Sequence, residues 1–230
     1  MTTWNLGRLC VFDTETTGPD PTTARLVTAC VGEVGAGQGS DCRTWLIDPG
    51  CEIPAEATAV HGVGTERARA EGADAAGAIA EIRDALYSAW ESGVPVVTFN
   101  AAFDLTVLDR ELRRHGMDPL DCGPVIDPFV IDREVDKYRK GKRTLSAACE
   151  VYGVVPGGAH DATVDALAAA EVARAIAAQY PHIAEMPLAE LHAAQATWHA
   201  ERQADFAAYL RRSGKPADDV HGDWPLLSSA

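Results

Sequence analysis

Basic residues are scarce in this sequence. Lysine and arginine together number 20 against 34 aspartates and glutamates, a formal charge of −14, and lysine itself occurs only four times. A broad cationic face, the usual footprint of proteins that hold nucleic acid by its phosphates, is therefore excluded. Three of the four lysines nevertheless fall within Arg133-Glu-Val-Asp-Lys-Tyr-Arg-Lys-Gly-Lys-Arg143. That concentration has two readings, a phosphate contact through Lys140 and Lys142 or a solvated loop. The first reading predicts weak, salt-sensitive, non-processive binding. Long apolar runs are missing too: no stretch of about eighteen apolar residues occurs, and Met1 to Arg8 carries no apolar leader. The expectation is a soluble cytoplasmic protein without a membrane partner. The six cysteines, at positions 10, 30, 42, 51, 122 and 149, include no Cys-x-x-Cys pair and read as reduced thiols.

What the chain does have is acid at the ends of apolar segments. Leu9-Cys-Val-Phe-Asp-Thr-Glu-Thr-Thr-Gly18 begins as a buried strand and ends in Asp13 and Glu15. Residues two apart on a strand share a face. Paired carboxylates repel and resist desolvation unless a cation lies between them, so the pair reads as a metal site; a turn Asp beside a solvated Glu is the alternative. Val94-Pro-Val-Val-Thr-Phe-Asn-Ala-Ala-Phe-Asp104 repeats the theme, with Asp104 opening a helical stretch from Leu105 to Arg114. Alone, Asp104 reads as a capping or first-turn acid. The third piece is Pro156-Gly-Gly-Ala-His-Asp-Ala-Thr-Val-Asp165, which leads into an Ala-rich helix through Ala178. His160 and Asp165 are five residues apart, roughly 140° around an ideal helix, so His160 belongs to the preceding loop or first irregular turn. Gly157 and Gly158 give that loop freedom to move.

Phe12-Asp-Thr-Glu-Thr-Thr-Gly18, Asn100-Ala-Ala-Phe-Asp104 and His160-Asp-Ala-Thr-Val-Asp165 together resemble the three motifs of the DEDDh group of DnaQ-like 3′-5′ exonucleases. The likeness extends to proofreading exonucleases of the DNA polymerase III epsilon type and covers about Leu9 to Tyr180. Family members often carry His before the Asn of the second motif; here the residue is Phe99. The resemblance implies an RNase H-like α/β fold, a mixed five-stranded sheet flanked by helices, with Asp13 and Glu15 on the central strand. It also implies two Mg²⁺ or Mn²⁺ ions held by Asp13, Glu15, Asp104 and Asp165, with His160 as general base. The reaction would release nucleoside 5′-monophosphates from single-stranded or frayed DNA 3′ ends. An exoribonuclease or short-oligonucleotide hydrolase of the same family is the alternative enzyme, since no motif reads a 2′-hydroxyl. A metal-free binding subunit is the non-enzyme alternative, and a polymerase or replication partner stays open. Candidate substrate contacts are Thr14, Thr16 and Thr17, His61 in Val60-His-Gly-Val63, Asn100, and Phe103 by stacking or by burial.

The order of elements agrees. Leu9 to Asp13, Leu26 to Val34 and Arg43 to Asp48 read as strands of an antiparallel meander, followed by helical patterning from Gly72 to Ser92. A strand before Phe99, a helix after Asp104 and a short strand at Pro124 to Asp127 follow. With 47% apolar residues the chain can bury one α/β core and carry an appendage. The division expected is an exonuclease domain over 1–180 and a helical extension and tail over 181–230, packed on the domain. Leu188 to Arg212 is the long helix of that extension, and Trp224 and Leu226-Leu227 are candidates to dock its tail.

Overall fold

The computed structural model describes residues 3–35, 40–155 and 162–228. β1 (Leu9–Thr16), β2 (Leu26–Val34) and β3 (Ser40–Leu46) form the meander. α1 (Ala55–His61), α2 (Thr65–Glu71) and α3 (Ala75–Glu91) then lead to β4 (Val96–Val97). α4 (Ala101–Arg114) crosses over to β5 (Val125–Ile126), and α5 (Pro128–Val135), α6 (Leu145–Tyr152) and α7 (Ala162–Gln179) follow. α8 (Pro181–Glu185) and α9 (Leu188–Arg212) end the regular structure. The sheet order is β3-β2-β1-β4-β5. β2 runs antiparallel to β1 and β3, as their short connections require, while β4 and β5 continue parallel to β1 through helical crossovers. The result is the RNase H-like mixed five-stranded α/β sheet.

β1 is central and buried on both faces, which is why its first residues read as one apolar run. Cys10 and Phe12 enter the layer built with α3 and α4, while Leu9 and Val11 enter the layer under α7. Ala166, Ala169, Ala170 and Ala173 let α7 lie close against the strands. The parallel strands β1, β4 and β5 end at one edge of the sheet. The strand order also reverses at β1, with β2 and β3 on one side and β4 and β5 on the other, and such a reversal is where an open sheet leaves a crevice for a ligand.

Several boundaries differ from the sequence expectation. β1 continues to Thr16, pairing Glu15 with Thr28, so both acids lie within the strand. β3 starts three residues earlier than Arg43 because pairing with β2 runs out to Val34 opposite Ser40. The helix expected from Gly72 starts at Ala75. Ala73 instead exchanges backbone hydrogen bonds with Leu46 and Asp48, and a side chain on Gly72 would collide with Ala68 O and Asp48 N. Asp74 then caps α3 by accepting from Gly77 N at 3.0 Å.

α9 covers the β5 edge and completes its hydrogen bonding with side chains. Gln195 donates to Val125 O at 2.9 Å and accepts from Asp127 N at 2.7 Å, and His192 Nδ1 accepts from Val125 N at 3.0 Å. An edge left with unpaired backbone groups would be a site for aggregation, and α9 removes it. His192 is thereby held to the strand and packs its ring, tilted, against Trp224. Trp4 Nε1 donates to Ile183 O at 3.1 Å, tying α8 to the N-terminal turn. Among the described residues no helix is long and apolar enough to cross a membrane.

Candidate active site

Alternation along β1 sends Asp13 and Glu15 to the α7 face, where Asp165 occupies the first turn of α7. Asp104 comes from the other layer, on the first turn of α4. Asp13 feels all three neighbours: burial first, and then the charges of Asp104, Glu15 and Asp165, push its carboxyl well above the ordinary range. Asp104 is 4% exposed. Burial raises its carboxyl to about 7 even though the hydroxyls of Thr14 and Thr98 donate to it at 2.5 and 3.2 Å and favour the anion. The sheet edge thus gathers four carboxyls from three segments. Among the described residues no three metal-ligating side chains already close into a coordination cage. The other three acids are near enough to raise the proton affinity of Asp13.

Local structure explains how Asp104 is presented. Asn100 precedes α4 in the left-handed region (φ 72°, ψ 53°), which costs a non-glycine residue of order 1–2 kcal/mol. Its own side chain makes no capping hydrogen bond. Asp127, buried at the end of β5, does so from a distance: it accepts from Asn100 N at 2.9 Å, Ala101 N at 2.8 Å and Phe129 N at 3.0 Å. Burial holds the Asp127 carboxyl above its ordinary range against the pull of these donors. Sequence reasoning passed over Asp127; the visible signal was an Asp before Pro128 at the start of a helical pattern, which promises a local cap only.

The RNase_T family profile, described as Exonuclease, matches residues 10–173, from β1 well into α7. The chain belongs to the RNase_T exonuclease family. A DNA polymerase III subunit epsilon-like protein of Rhodobacter capsulatus is 37% identical over 172 residues, 70% of this chain and 22% of that protein. Escherichia coli exonuclease I in complex with a dT13 oligonucleotide superposes with TM-score 0.63 at 20% identity, over 77% of this chain and 42% of that one. A moderately thermophilic exonuclease I from Methylocaldum szegediense gives TM-score 0.61 at 22% identity, over 76% of this chain and 41% of that one. This exonuclease-family chain therefore spans about a fifth of the curated relative's length and about two-fifths of those solved chains. The profile match includes Asp13, Glu15, Asp104 and Asp165, and the structural likeness carries the DnaQ-like, RNase H-like fold.

The remaining candidates sort by position. His160 lies outside the described residues. His61 ends α1 and, with Glu15, lines a cavity of about 370 Å³ that also touches Thr44, Trp45, Val63 and Thr163. Its Nδ1 accepts from Val63 N at 3.2 Å, and burial lowers its pKa. The threonine hydroxyls have internal partners. Thr14 points to the α4 face and donates to Asp104, Thr16 donates to Gly18 O at 2.8 Å, and Thr17 accepts from Arg25 N at 2.9 Å. Phe103 packs partly buried against the α3–α4 layer, and Asn100 is exposed. Phe99, where relatives often have His, packs its ring on Phe129 at 5.6 Å.

The basic loop divides into two sets. Arg139 and Arg143 both bind the carboxylate of Asp132, at 2.5 and 2.8 Å, and Tyr152 adds a hydroxyl at 2.8 Å. Burial alone would raise the Asp132 carboxyl, but these donors hold it below its usual range. Lys140 and Lys142 stay exposed. The arginine-rich stretch Arg110 to Arg114 is also structural in part: Arg110 is turned inward to Asp109 and the carbonyls of Leu227 and Ser228.

Proposed function

We propose that the chain is a metal-dependent 3′-5′ exonuclease that removes nucleoside 5′-monophosphates from single-stranded or frayed DNA 3′ ends. The observation that carries this reading is the gathering of Asp13, Glu15, Asp104 and Asp165 at one sheet edge, with the Asp13 and Asp104 carboxyls pushed upward. Four carboxylates brought together at such a cost in repulsion and burial fit hard divalent cations with oxygen ligands, Mg²⁺ or Mn²⁺. When bound, two such ions supply the positive charge on which phosphodiester hydrolysis depends. Asp13, Glu15, Asp104 and Asp165 would hold them, and Thr14 and Thr98 fix the direction in which Asp104 offers its oxygens. His160 takes the proton of the attacking water, leaving a 5′-phosphate on the released nucleotide and a 3′-hydroxyl on the shortened strand. His61 and Glu15 border the cavity proposed for the terminal nucleotide. DNA as substrate is supported by the oligonucleotide held by exonuclease I, and a replication partner by the epsilon-like relative.

The test is a time course on 5′-labelled DNA and RNA oligonucleotides with Mg²⁺ or with chelator. A metal-dependent descending ladder on DNA is the expected result. Preference for RNA or for very short oligomers would transfer the site to the ribonuclease reading.

Metal and pH should be linked with a definite sign. The native metal-free protein keeps protons on Asp13 and Asp104 well above the ordinary carboxylate range, so between about pH 4 and 7 it binds protons that the unfolded chain has released. Stability contributed by these groups therefore falls as pH rises through that window. Divalent cation reverses the penalty, and the Mg²⁺-induced rise in Tm should be small at pH 5 and largest near pH 8. Scanning fluorimetry against an EDTA control measures it; a shift that shrinks with rising pH contradicts the assignment.

Lys140 and Lys142 are proposed to hold substrate phosphates, and their neutralisation to glutamine should raise KM with little change in kcat. For every phosphate no longer neutralised, the slope of log K against log salt should become shallower by about 0.7 for a single strand. Binding isotherms at several salt concentrations read this, and an unchanged slope returns the segment to a solvated loop. Arg139→Ala differs in kind, because it strips a partner from the buried Asp132 and should lower Tm.

A further inference from the structure

We propose that Trp224, in the C-terminal tail, is a positioning residue for Asp104, acting through Asp127 and the first turn of α4. Trp224 is 8% exposed and its Nε1 donates to Asp127 Oδ2 at 3.2 Å. The same oxygen accepts from Ala101 N, while Oδ1 accepts from Asn100 N and Phe129 N. Four donors thus surround one buried carboxylate, and a planar carboxylate with about four lone-pair sites is fixed in orientation when all are engaged. Loss of the indole N–H frees one side of that arrangement. The left-handed Asn100 is then the residue with most to gain by relaxing, and Asp104 follows it within a single helical turn.

The tail grips α4 a second time. Leu227 N donates to Thr106 Oγ1 at 2.9 Å, and Arg110 Nη2 donates to the carbonyls of Leu227 and Ser228 at 2.9 and 3.1 Å. Thr106 and Arg110 are one turn apart on the helix that carries Asp104. His192, already bound to Val125 N, packs its ring, tilted by 51°, against the Trp224 indole with centroids 5.0 Å apart. The extension after α7 therefore serves as a strap on the catalytic helix, beyond covering the β5 edge. This inference rests on the exonuclease reading for the meaning of Asp104, and on the hydrogen-bond geometry for the strap itself.

Trp224→Phe in the full chain separates the two. Phenylalanine keeps an aromatic body beside His192 and removes only the donor; three donors stay on Asp127, so the fold should hold and Tm should fall only modestly. Hydrogen exchange of the peptide spanning residues 98–106, measured without metal, should quicken about five- to tenfold, the effect of one lost hydrogen bond, with exchange in β2 and α7 unchanged. Free Mn²⁺ followed by electron paramagnetic resonance should show weaker Mn²⁺ binding by a similar factor. Asp127→Asn should exceed both effects. Unaltered exchange over residues 98–106 in Trp224→Phe overturns the strap, whatever the metal result. Wild-type protein that neither binds Mn²⁺ nor cuts DNA sinks the exonuclease reading, while the exchange comparison still decides whether Trp224 holds the first turn of α4.

Discussion

Asp13→Ala and Asp165→Ala should each lower cleavage below about a thousandth of the wild-type rate, a loss in keeping with removal of a member of a cooperating catalytic set. Neither should unfold the protein. The Asp13 carboxyl is disfavoured first by burial and then by Asp104, Glu15 and Asp165, so deleting it or its partner relieves cost in the metal-free state. Against that relief, Asp165→Ala forfeits a first-turn acid on α7, worth about 0.3–1 kcal/mol in its interaction with the helix dipole. Relief of repulsion among the clustered carboxyls should outweigh that loss, and Tm in EDTA should hold or rise at pH 8 for both variants. In Mg²⁺ the order should invert, because only the wild type gains the full stabilisation of the bound ions. Circular dichroism melts beside a nuclease assay check the pair of statements. Gross unfolding of both variants would make these acids structural.

The acids were legible in the sequence because each sits at a local change of pattern. Asp13 and Glu15 interrupt an apolar strand, and Asp165 stands near the beginning of an alanine-rich helix. Leu188–Arg212 was readable for the same reason, since a long helix announces itself by composition and spacing. Strand order was not local information and entered through the family resemblance. β4 and β5 are only two residues each, too short for alternation to show, and their place beside β1 is set by crossovers.

What sequence spacing missed was pairing at a distance. Thr14 looked like a substrate contact because it stands between two acids that read as a metal site, yet alternation turns its hydroxyl to Asp104, ninety residues away. Asp132 offered no signal that it would bind Arg139 and Arg143 and leave the lysines as the exposed cations of that loop. Asp127 is the most consequential case. As a local cap it would have been ordinary, but its second set of donors comes from the turn before α4 and its fourth donor from the tail. Folding brings these groups together around a buried charge, and a buried charge is where an unpaired group costs most. The acids proposed to perform chemistry can therefore be read from short motifs, whereas the groups proposed to aim them come from distant parts of the chain.

His160→Ala should show the second large loss, about 10²- to 10⁴-fold in kcat, the range for removal of a general base. His160 lies outside the described residues, so the expectation rests on the motif His160-Asp-Ala-Thr-Val-Asp165 and on the site that Asp165 helps to form. A base must be neutral to accept a proton, and wild-type activity should rise with pH through the imidazole range, near about 6.5 in the absence of neighbours. Water activated by a divalent cation titrates as well, so a rising limb in the wild type does not identify its owner. The variant's own pH profile at saturating Mg²⁺ does. With His160 gone, the residual activity should lose the limb that belongs to the imidazole and keep only the one that belongs to the water. Metal binding should be retained, since His160 is proposed as no ligand; the Mg²⁺-induced rise in Tm at pH 8 should match that of the wild type. Near-normal turnover in His160→Ala with the same rising limb would make the histidine a bystander. The mechanism would then need its proton acceptor elsewhere, and of the described histidines His61 is the one that shares a cavity with Glu15.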